Sequence, residues 1–279
     1  MTISITLSDE QISQLYNSFK EYQIADKNEY IKYRFKTSDT SISVYTSNKV
    51  VFQGDSAEIY ALTFKNVKSY DHAGSDEVGT GDYFGPVIVC GCICKASDFE
   101  YLEKLKINDS KKILDEKIRE LAPLLMDRLV HTILILDNRK YNEINKTNNL
   151  NKIKARLHNQ AYINLSKKDN LPEKLIIDQF TPKDLYFKYL NEETTIIREV
   201  HLETKAESKY LAVAAASIIA RYQFLLYFDK LSLKYNFDFP KGAGSLVDNK
   251  IIEFANKYGK EALNDVAKLH FKNTGVLDK

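Results

Sequence analysis

The chain has 279 residues, of which 40 are basic and 38 acidic, giving a net charge of +2, and 44% of its residues are hydrophobic. That length and apolar fraction suit one large domain, or one large and one small, with a sizeable core. The near balance of charge excludes a global basic field as the means of holding nucleic acid, so any such partner must be met by local patches.

The opening MTISITLSDEQ lacks the basic-then-apolar pattern of a signal segment, and no apolar run reaches membrane-spanning length. A soluble, cytoplasmic, monomeric protein with no membrane partner is therefore expected. Ser8 is a candidate N-cap for a helix in which Ile12, Leu15, Tyr16 and Phe19 recur at helical spacing. YIKYRFK then alternates, with Lys32, Arg34 and Lys36 on one face and Ile31, Tyr33 and Phe35 on the other. SISVYT and NKVVFQG form a hairpin across Ser47-Asn48, and DSAEIYALTFKNV is a second helix. This first part reads as helix, three strands, helix: a small sheet backed by helices over residues 1–66, followed by the linker NVKSYDHAGS.

Residues 67–279 change character, with strands interleaved by helices, the pattern of an α/β domain. SDEVG and GPVIVCGCICK are strands; Cys90, Cys92 and Cys94 share one face of the second, with Val89, Gly91 and Ile93 on the other. Neither disulfide pairing nor a zinc site suits that spacing, so buried, reduced thiols are expected. LDEKIRELAPLLMDRLV is a helix, HTILILD a strand, NLNKIKARLHNQAYINLSKK a helix and EKLIIDQF a buried strand ending in an acid. The segment HLETKAESKYLAVAAASIIARYQFLLYFDKLSLKY holds one long helix. Alanines 212, 214, 215 and 216 make that helix thin enough to lie close against a sheet.

Four acids stand out. Asp178 ends an apolar strand, where ligands of open α/β sheets gather, although a carboxylate there also serves as a helix cap. Glu207 is expected in the first turn of the long helix, where a glutamate also complements the helix dipole. The adjacent pair Asp76-Glu77 is harder to explain as scaffolding. Neighbouring strand residues point to opposite faces, so two acids serving one site require the strand to end or bend there. Gly79, Gly81 and Gly85 supply that freedom. Clustered carboxylates repel unless a cation neutralises them, and all-oxygen sites suit Mg²⁺ or Mn²⁺. Two such ions are one way to catalyse phosphodiester displacement.

The segments GSDEVGTGDYFGPVIV, NDSKKILDEKI, RLHNQAY, IIDQF, ETKAESKYLAVAAASIIARYQFL, PKGAG and LHFKNT, in this order, resemble bacterial ribonuclease HIII, a type 2 ribonuclease H family. VYTSNKVVFQG is similar to that family's N-terminal substrate-binding domain. The resemblance implies a ribonuclease H-like α/β catalytic domain, a mixed sheet flanked by helices, over residues 67–279. It implies a small TATA-binding-protein-like α+β domain before it, over residues 1–66. It also implies cleavage of the RNA strand of RNA/DNA hybrids with two Mg²⁺ or Mn²⁺ ions, leaving 5′-phosphate and 3′-hydroxyl ends. Carried over by motif, the metal-binding, catalytic set is Asp76, Glu77, Asp178 and Glu207.

Gly79, Thr80 and Gly81 resemble the loop that reads the ribose 2′-hydroxyl in the wider family, and Ser110 and Lys111 fall where a phosphate contact is expected. Lys32, Arg34 and Lys36 are the candidate hybrid-binding face, with a solvated basic face as the alternative. Lys241 and His270 lie in matching segments without an assigned role. Two rival functions are incision at single ribonucleotides, as in ribonuclease HII, and non-catalytic hybrid binding. Thr80 stands where the former carries a basic residue, and the presence of all four acids argues against the latter.

Overall fold

The computed structural model describes residues 1–64, 69–107 and 113–278, in two compact units, Met1–Lys68 and Ser69–Lys279. Ser110 and Lys111 lie outside the described residues.

The first unit holds β1 (Thr2–Thr6), α1 (Asp9–Phe19), β2 (Gln23–Ile24), β3 (Ile31–Lys36), β4 (Thr40–Tyr45), β5 (Lys49–Gly54) and α2 (Ala57–Phe64). Its antiparallel sheet runs β1-β5-β4-β3-β2. Five strands replace the three expected. β1 offers only Ile3 and Ile5 as inward apolar residues, and β2 spans two residues, too little pattern for either to announce itself. Ser8 caps α1 through a reciprocal box with Gln11: the Gln11 amide donates to Ser8 Oγ at 3.3 Å, and the Ser8 amide to Gln11 Oε1 at 2.7 Å. Ile12, Leu15 and Phe19 of α1 and Ala57, Ala61 and Phe64 of α2 pack with Phe35, Ile42, Val44, Val50 and Phe52 into one core. Both helices therefore cover the same side of the sheet.

The other side is mainly polar, interrupted by Ile24 and Val51. Alternation places on it Thr2, Ser4 and Thr6 of β1, Lys49 and Gln53 of β5, Ser41 and Ser43 of β4, and Lys32, Arg34 and Lys36 of β3.

The second unit holds β6 (His72–Val78), β7 (Val87–Cys94), α3 (Phe99–Lys104), α4 (Asp115–Arg128), β8 (Val130–Leu136), α5 (Asn138–Asn145), α6 (Leu150–Ser166), β9 (Lys174–Asp178), α7 (Lys183–Tyr189), β10 (Val200–Glu203), α8 (Leu211–Tyr235), α9 (Ser245–Tyr258) and α10 (Leu263–Val266). Its sheet order is β10-β9-β6-β7-β8, with β10, β9 and β6 parallel and the pairs β6-β7 and β7-β8 antiparallel. β6 begins at His72, inside the stretch expected to be linker. His72, Gly74 and Ser75 are weak strand formers, and it is pairing on both sides that makes them strand.

Helices α6 and α8 take opposite faces of this sheet. On one side Ala73 packs with Ala155, Tyr162 and Leu165 of α6. On the other, a Cβ built on Gly74 would stand 2.4 Å from the Val213 amide nitrogen, so α8 lies against the strand's backbone as the run of alanines predicts. Ala212, Ala214, Ala215 and Ala216 are fully buried there. By length and composition α8 could cross a membrane, but it is mostly buried within this unit, as the core helix of a folded domain is. Cys90, Cys92 and Cys94 are free and buried, and burial drives the thiols of Cys90 and Cys94 above their ordinary pKa.

Candidate active site

Strand register brings the acids of distant motifs together. In the parallel pair of β6 and β9, Ser75 is opposite Ile177, so the next residues, Asp76 and Asp178, end up side by side at the carboxyl ends of adjacent strands. On the far side of β9, Asp178 pairs with Glu203 of β10, and the chain then turns through Lys205 in the left-handed region (φ 54°) into a short 3₁₀ turn, Ala206–Ser208. The Ala206 amide donates to Asp178 Oδ1 at 3.0 Å, which fixes Glu207 beside the strand end. Glu207 is therefore not in the first turn of the long helix, which begins at Leu211. Its place is set by this turn rather than by the helix dipole. Asp76 is 3% exposed and Glu207 7%.

The adjacent acids are arranged differently from expectation. β6 neither ends nor bends between them: Asp76, Glu77 and Val78 pair in unbroken register with Cys90, Val89 and Ile88 of β7. Alternation sends Asp76 to the α8 side, with Gly74, and Glu77 to the α6 side, with Ser75. The Asp76 carboxylate turns back to accept the Glu77 amide at 2.8 Å. Beyond Val78 the chain does turn. Gly79 has φ +90°, and a Cβ there would come within 2.1 Å of the Pro86 carbonyl oxygen, so only glycine fits. Thr80 is half-buried, and Gly81 is exposed with open space around it.

Glu77 meets two partners from α6. Lys154 Nζ pairs with its Oε1, and His158 Nε2 lies 2.8 Å from its Oε2, while His158 Nδ1 lies 2.8 Å from Ser75 Oγ. The imidazole thus bridges the Ser75 hydroxyl and the Glu77 carboxylate. Phe180 backs both residues, stacked on the His158 ring and with Lys154 Nζ 4.1 Å above its face. Burial alone would raise the Glu77 pKa; the hydrogen bond and charge of His158 and the charge of Lys154 outweigh it and hold the carboxyl below its ordinary value. Lys154 and His158 lie four residues apart on α6, one turn of helix, with His158 inside RLHNQAY and Lys154 two residues before it. Their spacing was the available signal, but nothing in a sequence says which strand residue a helix face will meet.

Asp76 and Glu77 line one end of a cleft of ≈ 260 Å³, which Ser217 and Arg221 of α8 and Asp115 of α4 also line. Arg221 donates to both Asp115 oxygens, at 3.0 and 3.2 Å, and Lys241 pairs with the same carboxylate. Burial opposes ionisation of Asp115, yet the two cations hold its pKa below the ordinary value. Lys241 is thus tied to a residue of the cleft wall, Asp115. His270 instead packs on Tyr141 of α5, its ring nitrogens 3.3 and 3.4 Å from the Tyr141 hydroxyl.

The loop after Gly79 is held from the chain's C-terminal part. Tyr83 donates its amide to Gly242 O at 2.9 Å, and the Gly242 amide donates to Asp82 Oδ1 at 2.6 Å. Phe84 bridges to Ala267, and the Lys268 amide donates to Tyr83 O at 2.8 Å. Lys268 is fully buried, and its Nζ donates to the carbonyls of Gly85 and Phe84. On β3, in the first unit, Lys32 and Lys36 are exposed, whereas Arg34 donates to Asp26 at 2.5 Å and to Ser43 Oγ at 3.3 Å.

As a set of donors, Asp76, Glu77, Asp178 and Glu207 suit a hard divalent cation, being carboxylates alone, converging on one end of the sheet and largely buried. Among the described residues, however, no three acids, histidines or cysteines are gathered closely enough to chelate an ion. The carboxylates are already engaged within the protein: Glu77 accepts from α6, Asp178 accepts the Ala206 amide, and Asp76 accepts the Glu77 amide.

The ribonuclease HII family model matches residues 73–274, and a domain of unknown function (DUF3378) matches residues 2–76. Ribonuclease HIII of Lactococcus lactis subsp. lactis is 42% identical over 98% of this chain and 97% of its own. Ribonuclease HIII of Streptococcus mutans is 41% identical over 98% of this chain and 96% of its own. The crystal structure of Bst-RNase HIII in complex with Mn²⁺ superposes with a TM-score of 0.75 at 36% identity, covering 99% of this chain and 97% of that one. Aquifex aeolicus RNase H3, at 22% identity and a TM-score of 0.59, shares the fold. With one family model spanning the whole β6–α10 region and relatives above 40% identity from end to end, the chain belongs to the ribonuclease HIII family.

Proposed function

We propose that the chain is an endoribonuclease that hydrolyses the RNA strand of RNA/DNA hybrids, leaving 5′-phosphate and 3′-hydroxyl ends, and that it works as a cytoplasmic monomer. The observation that carries this reading is the register of β6 and β9, which sets Asp76 beside Asp178, with Glu207 tied to the same strand end through the Ala206 amide. Asp76 and Asp178, about a hundred positions apart in sequence, thus lie at the carboxyl ends of adjacent central strands, where α/β sheets bind ligands, and the turn carrying Glu207 is tied to the same end.

Asp76, Glu77, Asp178 and Glu207 are the residues that would hold Mg²⁺ or Mn²⁺. Divalent ions, when bound, supply the charge stabilisation that a phosphodiester displacement requires. The rest is done by the chain itself. The Ala206 amide orients Asp178 without neutralising it. Arg221 puts positive charge on the cleft wall, and Lys241 adds a second cation on the same Asp115, beside the path a nucleic-acid backbone passing the acids would take. Past the end of β6, the backbone of Gly79, Thr80 and Gly81 offers peptide groups to a ribose 2′-hydroxyl, with Gly81 open to solvent.

The first unit is the hybrid-binding module of this reading, a small TATA-binding-protein-like domain covering residues 1–66. Its support is the mainly polar sheet face opposite α1 and α2, where Lys32, Lys36 and Lys49 can meet phosphates and Ser, Thr and Gln side chains can donate to them. The test is cleavage of a hybrid labelled on its RNA strand, with Mg²⁺ or Mn²⁺, beside an all-DNA duplex and an EDTA control. Metal-dependent cuts confined to the RNA strand are expected; an intact hybrid at every metal concentration would reject the reading.

A further inference from the structure

Glu77 is held in a way that scaffolding alone does not explain. Its partners Lys154 and His158 are 7% and 0% exposed. A buried lysine is costly, and an apolar side chain of similar size commonly serves structure as well or better. Here the ammonium sits on a carboxylate proposed as a metal ligand, with the face of Phe180 at 4.1 Å. Asp76, 3% exposed, and Glu207, 7% exposed, concentrate further negative charge at this end of the sheet. Without a metal, such a cluster needs a cation, and Lys154 supplies one charge of the required sign.

We propose that Lys154 is the built-in counter-ion of the site, an ammonium that competes with the divalent cation for the Glu77 carboxylate and so sets how tightly the metal is held. The inference rests on the metal-ligand reading above. Lys154 engages Oε1 of Glu77 and His158 engages Oε2, so a divalent ion that called on this carboxylate would meet oxygens already in use. If the ion displaces the ammonium, the lost ion pair is subtracted from metal affinity; if the ammonium stays, two cations repel at close range. Both routes weaken binding, and neither operates on a neutral side chain. His158 plays a different part: it holds Oε2 from the opposite nitrogen to Ser75, so Glu77 keeps one fixed oxygen while the other changes partner. Lys154 is thus a positioning residue that acts on the metal through Glu77.

The experiment titrates Mn²⁺ into the full-length protein by calorimetry at pH 8. Lys154→Met and Lys154→Gln are compared with wild type and Lys154→Arg, each checked for folding by circular dichroism. The neutral variants are expected to bind Mn²⁺ about tenfold tighter, a relief of about 1.4 kcal/mol, and to reach half-maximal cleavage at correspondingly lower Mn²⁺. Lys154→Arg, which keeps the charge, should stay near wild type. A lysine that was only structural would not tighten metal binding when removed, so unchanged or weaker binding by folded neutral variants overturns the proposal.

A second measurement needs no neutral variant: the Lys154 Cε resonance of the wild-type protein, identified by its loss in Lys154→Arg, should shift on adding Mg²⁺. A resonance that does not move also overturns the proposal. Asp178→Asn separates the two levels of argument. If it binds Mn²⁺ as well as wild type, the metal-ligand reading fails first and takes this one with it. If it loses Mn²⁺ while the neutral Lys154 variants gain nothing, only the counter-ion role fails.

Discussion

Asp178 Oδ1 accepts the Ala206 amide at 3.0 Å, and this one hydrogen bond joins the end of β9 to the turn that carries Glu207. It makes Asp178 a part of the backbone architecture as well as a candidate ligand, and it dictates the substitution that can separate the two roles. Asp178→Asn keeps an oxygen in place to accept the amide but removes the charge a hard cation requires. Cleavage should fall by at least about 10³-fold, on the scale of losing a preorganised charge at a reacting centre, with thermal stability and hybrid affinity close to wild type. Single-turnover cleavage and a binding titration on the same variant decide it; near wild-type cutting would remove Asp178 from the ligand set.

The close approach of α8 to β6 gives a stability prediction. With only 2.4 Å between a Cβ on Gly74 and the Val213 nitrogen, Gly74→Ala must push the helix off the strand or bend both. Overpacking where a helix meets a strand's backbone should cost about 3 kcal/mol, and the displaced strand carries Asp76 two residues on. Denaturant unfolding should show the loss, and activity should fall further than the unfolded fraction explains. An unchanged midpoint would mean that the helix is not held against the backbone here.

Asp178 and Gly74 show what the sequence made legible and what it did not. The alanine run announced a thin helix, and the acids announced themselves by motif. Which face each acid would take depended on how many residues β6 spans, and that was set by pairing with β7 and β9 rather than by local preference. Strand propensity put the start of β6 too late, since His72, Gly74 and Ser75 are strand only because neighbours bond them on both sides. The glycines suggested a break directly at the acids, but the turn waits until Gly79. β1, β2 and β10 escaped notice because each carries too few apolar residues to set a period. Lys154 and His158 needed tertiary structure: a cation and an imidazole one turn apart on a helix read as ordinary until a strand acid is found facing them.

Lys268 should make stability depend on alkaline pH. Burial pushes its pKa down to about 7, against a weaker opposing pull from Asp82. In the unfolded chain the same amine titrates near 10.5. Between those values the unfolded state holds more protons than the folded one, so this residue's contribution to stability rises with pH through the window, and its penalty is complete below about pH 7. The difference in unfolding free energy between wild type and Lys268→Met should therefore grow in favour of wild type from pH 7.5 to 9.5, by up to about 1.4 kcal/mol per pH unit. Gly85 O keeps its other donor, Asn138 Nδ2 at 2.7 Å, so the variant retains one bond to the loop. A pH-independent difference would mean that Lys268 stays charged in the folded protein.

On the first unit, Lys32 and Lys36 are exposed while Arg34 is engaged by Asp26, so the two lysines are the side chains of β3 available to phosphate. Lys32→Ala/Lys36→Ala should weaken hybrid binding and lower the slope of log affinity against log salt by about two, roughly one for each phosphate that is no longer neutralised. Cleavage at saturating substrate should be unchanged, because neither lysine belongs to the unit that carries the acids. Fluorescence anisotropy across a salt series measures the slope. If affinity and slope both stay at wild-type values, the basic side of β3 is solvated surface and the hybrid is held elsewhere.

The loop at Gly79, Thr80 and Gly81 sets the expected substrate length. Gly79 is fixed by its positive φ and by the nearby Pro86 carbonyl, and the following loop is anchored through Asp82, Tyr83 and Phe84, so Thr80 sits on a firmly held segment. A basic residue there could grip a phosphate and mark an RNA–DNA junction; threonine has a hydroxyl and no charge. Recognition must then be spread over several 2′-hydroxyls and the shape of the hybrid, with help from the first unit's polar face. A duplex carrying one ribonucleotide should be cut at least about tenfold more slowly than one carrying four or more, the difference expected when about 1.4 kcal/mol of binding energy is missing. The test is a series with one, two, four and eight ribonucleotides at saturating Mg²⁺ or Mn²⁺, repeated with Thr80→Arg. The wild type should climb steeply across the series, and the arginine variant should gain most on the single ribonucleotide. Equal cleavage of all four duplexes by the wild type would show that junction recognition does not require charge at this position, and would favour the single-ribonucleotide reading instead.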